Sequence, residues 1–296
     1  MVCFSQGEIR MLGSAIKYFR LKSRKNRREL VMATGLTEYV IKSYEKGKRL
    51  PVLSEIRNIA SALNVNLSWL MSSYNHYEYR HGEFYKYSHL NKHSQEYIRL
   101  SVEDYLDRFL TVADILGNDV MRKVPEVHSI SPSGDVERDA SKLRDVLGLA
   151  PTGAISNLVS SLEDKGILIY LLEYEDDKFL GINGLVSNRP YVVLNSIATP
   201  ERQRSTLVHE LGHIFFSLPE DDNSEWEKYM MAISGAFLFP TSDVFYELGN
   251  KRQTKMEEPT LFTQYVLRAV REEKISSSKG AELLRMPYYD LGWNIK

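Results

Sequence analysis

The chain has 296 residues, 43% of them apolar and 26% charged, which describes an ordinary soluble globular protein long enough for two or three compact domains. Its net charge of -1 conceals an asymmetry: residues 1–73 carry 13 Lys/Arg against 5 Asp/Glu, a net of +8, and residues 74–296 carry 25 against 34, a net of -9. No apolar run is long enough to span a bilayer, no signal-peptide core stands at the N-terminus, and Cys3 as the only cysteine excludes an intrachain disulfide, so a cytoplasmic protein with no membrane contact and a polyanion partner for its head is expected.

In the head, five short helices are predicted. Ile9 to Phe19 carries Leu12, Ile16 and Phe19 on one face. Asn26 is an N-cap candidate for a helix that Gly35 stops, and Thr37 can cap the next, through Glu45. Ser54 is read as the cap of Ile56 to Leu63, and Asn66 or Ser68 as the start of a last turn through Leu70. Two short helices joined by a tight glycine turn form a helix-turn-helix, whose second helix enters the DNA major groove.

This head resembles the XRE (lambda-repressor-like) family through Leu30, Ala33, Gly35, Leu36, Ile41, Tyr44-Glu45-Lys46-Gly47 and Pro51. The resemblance implies that Glu38, Tyr39, Lys42 and Ser43 face base edges of double-stranded operator DNA. It also implies that Arg27, Arg28, Lys46, Lys48 and Arg49 sit near phosphates. The two-fold symmetry of XRE operators implies a homodimer.

Residues 74–134 read as a connector. Its first part is rich in aromatics and mixed charge, without a period, and the connector holds His76, His81, His89 and His93, which match no ligand spacing. Lys92 to about Leu116 is predicted helical, and the Pro- and Ser-containing stretch from Val124 to Gly134 marks a boundary.

From Asp135 onward the pattern alternates helix and strand. Helices are predicted from Asp135 to Leu147 and from Ser156 or Asn157 to about Lys165. Three strands follow, at Ile167 to Leu172, within Gly181 to Val186, and at Tyr191 to Asn195. The next helix, opened by Pro200, contains His209-Glu210-Leu211-Gly212-His213. Residues four apart share a helix face, so His209 and His213 can hold one metal while Glu210 reaches a water beside it. Zinc in a peptidase takes a third protein ligand. No histidine follows His213, so the third ligand is an acid or comes from upstream; Glu225 and Glu227, at the start of a helix predicted to end near Phe239, are the nearest acids.

Residues 135 to about 290 resemble the ImmA/IrrE metallopeptidases. The matching stretches are Gly153 to Gly166, Asn195 with Pro200-Glu-Arg-Gln-Arg, the motif helix, Phe237-Leu-Phe-Pro240, and Lys274-Ile-Ser with Ala281-Glu-Leu-Leu. By this resemblance the third ligand is Glu227, three before Met230, where the family usually has Ala. The resemblance implies Zn2+ as cofactor, Glu210 as catalytic base, and an XRE-type repressor as protein substrate, cleaved to relieve repression.

The expected molecule is therefore multi-domain and mainly α with a small β-sheet. An all-α helix-turn-helix domain spans 1–73, a partly helical connector 74–134, and an α+β zincin-like metallopeptidase domain 135–296. The alternative is a zinc-binding transcriptional regulator that senses a signal or partner and cleaves nothing.

Overall fold

A computed structural model describes residues 6–72, 77–82, 90–117, 120–218, 224–243, 257–288 and 290–291. Cys3, His76 and His89 lie outside the described residues. In chain order the elements are α1 (Gln6–Lys22), α2 (Arg27–Thr34), α3 (Glu38–Glu45), α4 (Leu53–Leu63), α5 (Leu67–Met71), β1 (Tyr79–His81), α6 (Lys92–Leu116), α7 (Val136–Val146) and α8 (Leu158–Glu163). They continue with β2 (Leu168–Leu172), β3 (Gly181–Val186), β4 (Arg189–Asn195), α9 (Pro200–Phe215), α10 (Ser224–Leu238), α11 (Leu261–Arg271) and α12 (Ser277–Leu284). The protein is mainly helical with one small mixed sheet, as its sequence pattern leads one to expect. No helix among the described residues is long and apolar enough to cross a membrane.

The chain forms two compact units, and neither is one continuous stretch. The first gathers Met1–His76, Asn91–Gly117 and Thr263–Lys296; the second gathers Tyr77–Leu90 and Asn118–Phe262. The stretch read as a connector thus contributes to both.

In the first unit, local signals set the helix ends. Asn26 accepts from the Glu29 N–H while the Glu29 carboxylate accepts from the Asn26 N–H, a reciprocal capping box. Thr37 caps α3 through the Val40 N–H. The fourth helix begins earlier than Ser54 predicts. Its N-cap is Val52, which has no side-chain oxygen to offer the first turn; the Glu55 carboxylate, at the third helical position, reaches back and accepts from the Val52 N–H. Leu12, Ile16, Phe19, Leu30, Ile41, Tyr44, Ile56, Ile59 and Leu63 close an apolar core. Beneath it lies a charged brace. Glu45, 8% exposed, accepts from Arg20, 2% exposed, and from Arg27 Nε at 2.7 Å, which ties α1, α2 and α3 together.

The second unit is built on the sheet, whose order is β1-β3-β4-β2. Parallel pairing joins β2 to β4, and antiparallel pairing joins β3 to both β4 and β1. The sequence gives no warning of β1, because three residues are too few to show alternation. Of the remaining strands, β4 is buried along nearly its whole length and β3 at alternate residues; α9 packs on β3 and β4 while α10 packs on α9 and α7. Between β4 and α9 the chain turns on two amides. Asn195 Nδ2 donates to the Tyr174 and Phe179 carbonyls, and Gln203 Nε2 donates to the carbonyls of Asn195, Ser196 and Ala198. These bonds, with the Thr199 cap and Pro200 in the first turn, fix where α9 starts.

Candidate metal centre

The residues of α9 divide by face. Leu207, Val208, Leu211, Ile214 and Phe215 are buried in the core of the second unit. That burial turns His209 and His213, one helical turn apart, toward α10. Beyond His213 the end of the helix is pinned: the His128 and Ile130 N–H groups donate to the Ile214 and Phe215 carbonyls, each at 3.0 Å.

Glu227, in the first turn of α10, completes a cluster. The two Nε2 atoms are 3.1 Å apart. Glu227 Oε2 lies 3.2 Å from His209 Nε2, and Oε1 lies 3.5 Å from His213 Nε2. Among the described residues, these three side chains make the one group of three or more His, Cys, Asp or Glu placed to share a metal ion. Glu225, two residues earlier on the same helix, faces solvent and is not in the group. Three lone-pair-bearing atoms this close repel one another unless a proton or a cation stands between them.

The electrostatics of the cluster follow from this crowding. Burial disfavours charge on His213, but the hydrogen bond to Glu227 and the negative charges of Glu210 and Glu227 outweigh it and raise its pKa above the ordinary 6.5. Burial likewise pushes the Glu227 carboxyl up, yet its hydrogen bonds with His209 and His213, and their charges, bring it down to about 2. Glu227 is a carboxylate at any working pH.

Two supports hold the helices in register. At Gly212 the α9 backbone meets α10 so closely that a Cβ would stand 2.7 Å from the Met230 sulfur. Met230, fully buried, occupies the space that a bulkier residue at 212 would need. Two residues beyond Glu227, Tyr229 OH donates to Asp139 of α7 at 2.8 Å. Asp139 is fully buried and also accepts from the Ser133 N–H and hydroxyl and from Lys142.

Glu210 is half-buried beside the cluster. It takes one bond that the sequence did not advertise: Asn183 Nδ2, on β3, donates to Glu210 Oε2 at 2.6 Å. Asn183 sits between glycine and isoleucine in a strand, where nothing in the local pattern marks a polar residue as part of a site. Only the register of β3 against α9 brings it there.

The residues that resemblance placed at DNA lie elsewhere, on α2, α3 and the turn after them. Arg28, Glu38, Tyr39, Lys42, Lys46, Lys48 and Arg49 are exposed, Tyr39 at 78%. Ser43 donates its hydroxyl to the Tyr39 carbonyl at 2.8 Å. Arg27 is half-buried on Glu45, so it braces α2 against α3.

Residues 162–266 match the family model Peptidase_M78, described as the IrrE N-terminal-like domain. That stretch runs from the end of α8 through β2, β3, β4, α9 and α10 into α11, and it includes Asn183, His209, Glu210, His213 and Glu227. The match supports an enzyme of metallopeptidase type. Comparisons with curated proteins and with solved structures gave no match.

Proposed function

We propose that the second unit is a zinc-dependent endopeptidase, with His209, His213 and Glu227 as ligands and Glu210 as general base. The basic head binds double-stranded operator DNA in the cytoplasm as a homodimer. The substrate is an XRE-type repressor, whose cleavage relieves repression.

One observation carries the first part of this reading, the spacing of the three donors. Zinc bonds of about 2.0–2.2 Å at tetrahedral angles separate ligand atoms by roughly 3.3–3.5 Å. The separations here are 3.1 Å between the imidazoles and 3.2 and 3.5 Å from them to the carboxylate oxygens. Two imidazoles and a carboxylate also match the donor set of catalytic zinc, three protein ligands with a fourth position left open. A zinc ion bound there would lower the pKa of water toward neutrality and polarise the scissile carbonyl. Glu210 then accepts the proton of the attacking water and delivers it to the leaving amine. Asn183 holds Oε2 of that carboxylate and leaves Oε1 to the proton.

The reading of the head is supported by its net charge of +8 and by the exposed row Arg28, Lys42, Lys46, Lys48 and Arg49 around α2 and α3.

Mixing the full-length, zinc-loaded protein with XRE-type repressors of its own cell tests the whole. Glu210→Gln should keep its metal and lose cleavage of the repressor that the wild type cuts. Cleavage that persists in Glu210→Gln removes that residue from the role of base. A wild type that holds zinc and cuts no repressor, including its own head, favours a regulator that senses instead of cleaving.

A further inference from the structure

Strand β3 runs beside the motif helix. A Cβ on Gly181 would meet Thr206, and Asn183 reaches Glu210, four residues further along α9. One edge of β3 is taken by β4. The other edge would be open, a row of backbone donors and acceptors next to the candidate base, if β1 did not lie on it.

The pairing of β1 is short and superficial. Tyr79 faces Val186, Arg80 faces Leu185 and His81 faces Gly184, and none of the three is buried. At its ends, Ser187 N–H donates to the Glu78 carbonyl at 2.8 Å and Gly82 N–H donates to the Asn183 carbonyl at 2.9 Å. The last of these bonds lands on the residue that holds Glu210. Side-chain anchorage comes from His81 Nδ1, 2.6 Å from the Tyr191 hydroxyl, and from Arg80 on Asn188. Gly184 makes that seat possible, since a Cβ there would overlap the Tyr191 hydroxyl at 2.3 Å and the Arg80 carbonyl at 2.6 Å. A three-residue strand with no buried side chain, arriving from about 100 residues away in sequence, is the part of the sheet easiest to lift.

Extended peptides bind by adding a strand to such an edge, with main-chain bonds giving affinity and alternate side chains giving selectivity. We propose that the outer edge of β3 is the peptide-binding edge of the candidate site and that β1 is its resident occupant, displaced when an extended segment of a protein substrate pairs there. This rests on the peptidase reading. It adds that the site is guarded by the chain's own strand, and that a substrate segment must be extended and must outcompete Tyr79–Gly82.

The test uses the full chain loaded with cobalt, two probes and two variants. Acetohydroxamate reports the metal alone; a tri-alanine hydroxamate adds a backbone that can pair with β3. Tyr79 and Val186 form a pair with no ladder bonds between them, the close kind of position that a disulfide spans. Tyr79→Cys/Val186→Cys, in a Cys3→Ser background, therefore locks β1 in place. His81→Ala/Gly82→Pro removes the Tyr191 contact and the Asn183 bond, and so releases it. The tripeptide probe should bind about tenfold tighter to the released variant and about tenfold weaker to the locked one, with reduction restoring the wild-type value. Acetohydroxamate should bind all of them alike. Equal binding of the tripeptide probe throughout overturns the proposal and leaves the metal site intact. Failure of acetohydroxamate to bind any form overturns the metal reading and this proposal with it. In metal-free wild type, the Gly82 and Ser187 amides should exchange at least tenfold faster than those pairing β3 with β4; equal protection would make β1 a permanent strand and also overturn the proposal.

Discussion

The candidate metal centre and the basic head are each made by two successive helices; in the first the polar side chains converge, in the second they diverge. Across α9 and α10, His209, His213 and Glu227 converge within 3.5 Å and lose most of their water. Across α2 and α3 the charged residues diverge into solvent, and only Arg27 and Glu45 turn inward. A converging site carries evidence of its ligand in its own geometry, because the crowding has a cost that a bound cation relieves. A diverging site stores no such tension. Its partner must be sought in solution.

The sharpest way to break that contrast is to remove one converging ligand. Glu227→Ala should weaken zinc binding by more than about 100-fold, beyond what loss of a supporting outer contact costs, and metal analysis of the purified protein reads it directly. Glu225→Ala, on the solvent side of the same turn, should leave zinc at the wild-type level. Retention of zinc by Glu227→Ala would move the third ligand elsewhere, first to Glu225.

For the diverging site the expected signature is salt. Five phosphate contacts, from Arg28, Lys42, Lys46, Lys48 and Arg49, would lower DNA affinity by on the order of 10²- to 10³-fold between 50 and 200 mM salt. Anisotropy titrations of a labelled duplex supply the slope. A flat response would make the exposed face of α3 a protein-binding surface. Glu45 sharpens the comparison from inside the head. Glu45→Ala leaves Arg20, almost fully buried, without its partner, and should cost about 3 kcal/mol of stability in chemical unfolding. Zinc content should be unaffected, which separates a scaffold charge from a site charge.

The same contrast decides how much the sequence could say. Elements governed by local signals were legible: the Asn26 and Thr37 caps and the apolar stripe of α9 all follow from neighbours in sequence. The His209 and His213 pair was legible because helical periodicity fixes which residues share a face. The third donor was not fixed by spacing, which left Glu225 beside Glu227; the crossing of α10 over α9 brings one of them to the histidines. Asn183 and β1 were invisible for a related reason. Each depends on strand register between segments about 100 residues apart, or on a contact across the sheet, and neither leaves a local pattern. The Ser54 cap failed locally: the helix already starts at Leu53, with the Glu55 carboxylate accepting from the Val52 N–H.

Glu163 shows the smallest effect and the least visible one. From the end of α8 its carboxylate accepts from the Thr260 and Leu261 N–H groups, 97 and 98 residues later, and so caps the start of α11. Burial raises its pKa to about 7, against the partial opposition of those two bonds. A carboxyl whose pKa is higher folded than unfolded binds more protons in the native state between about pH 4.5 and 7. It therefore contributes stability that is complete below that window and is lost as pH rises through 7. A displacement of this size corresponds to about 2 to 3 kcal/mol between pH 5 and pH 8. Glu163→Gln has no proton to lose, so urea unfolding at the two pH values should show the variant gaining that much on the wild type at pH 8. An identical difference at both pH values would mean that solvent reaches Glu163 freely. Asp139 would still mark the opposite case, a buried carboxylate held down by the Ser133, Tyr229 and Lys142 hydrogen bonds despite the cost of burial, whose stabilisation fades only as pH falls below about 4.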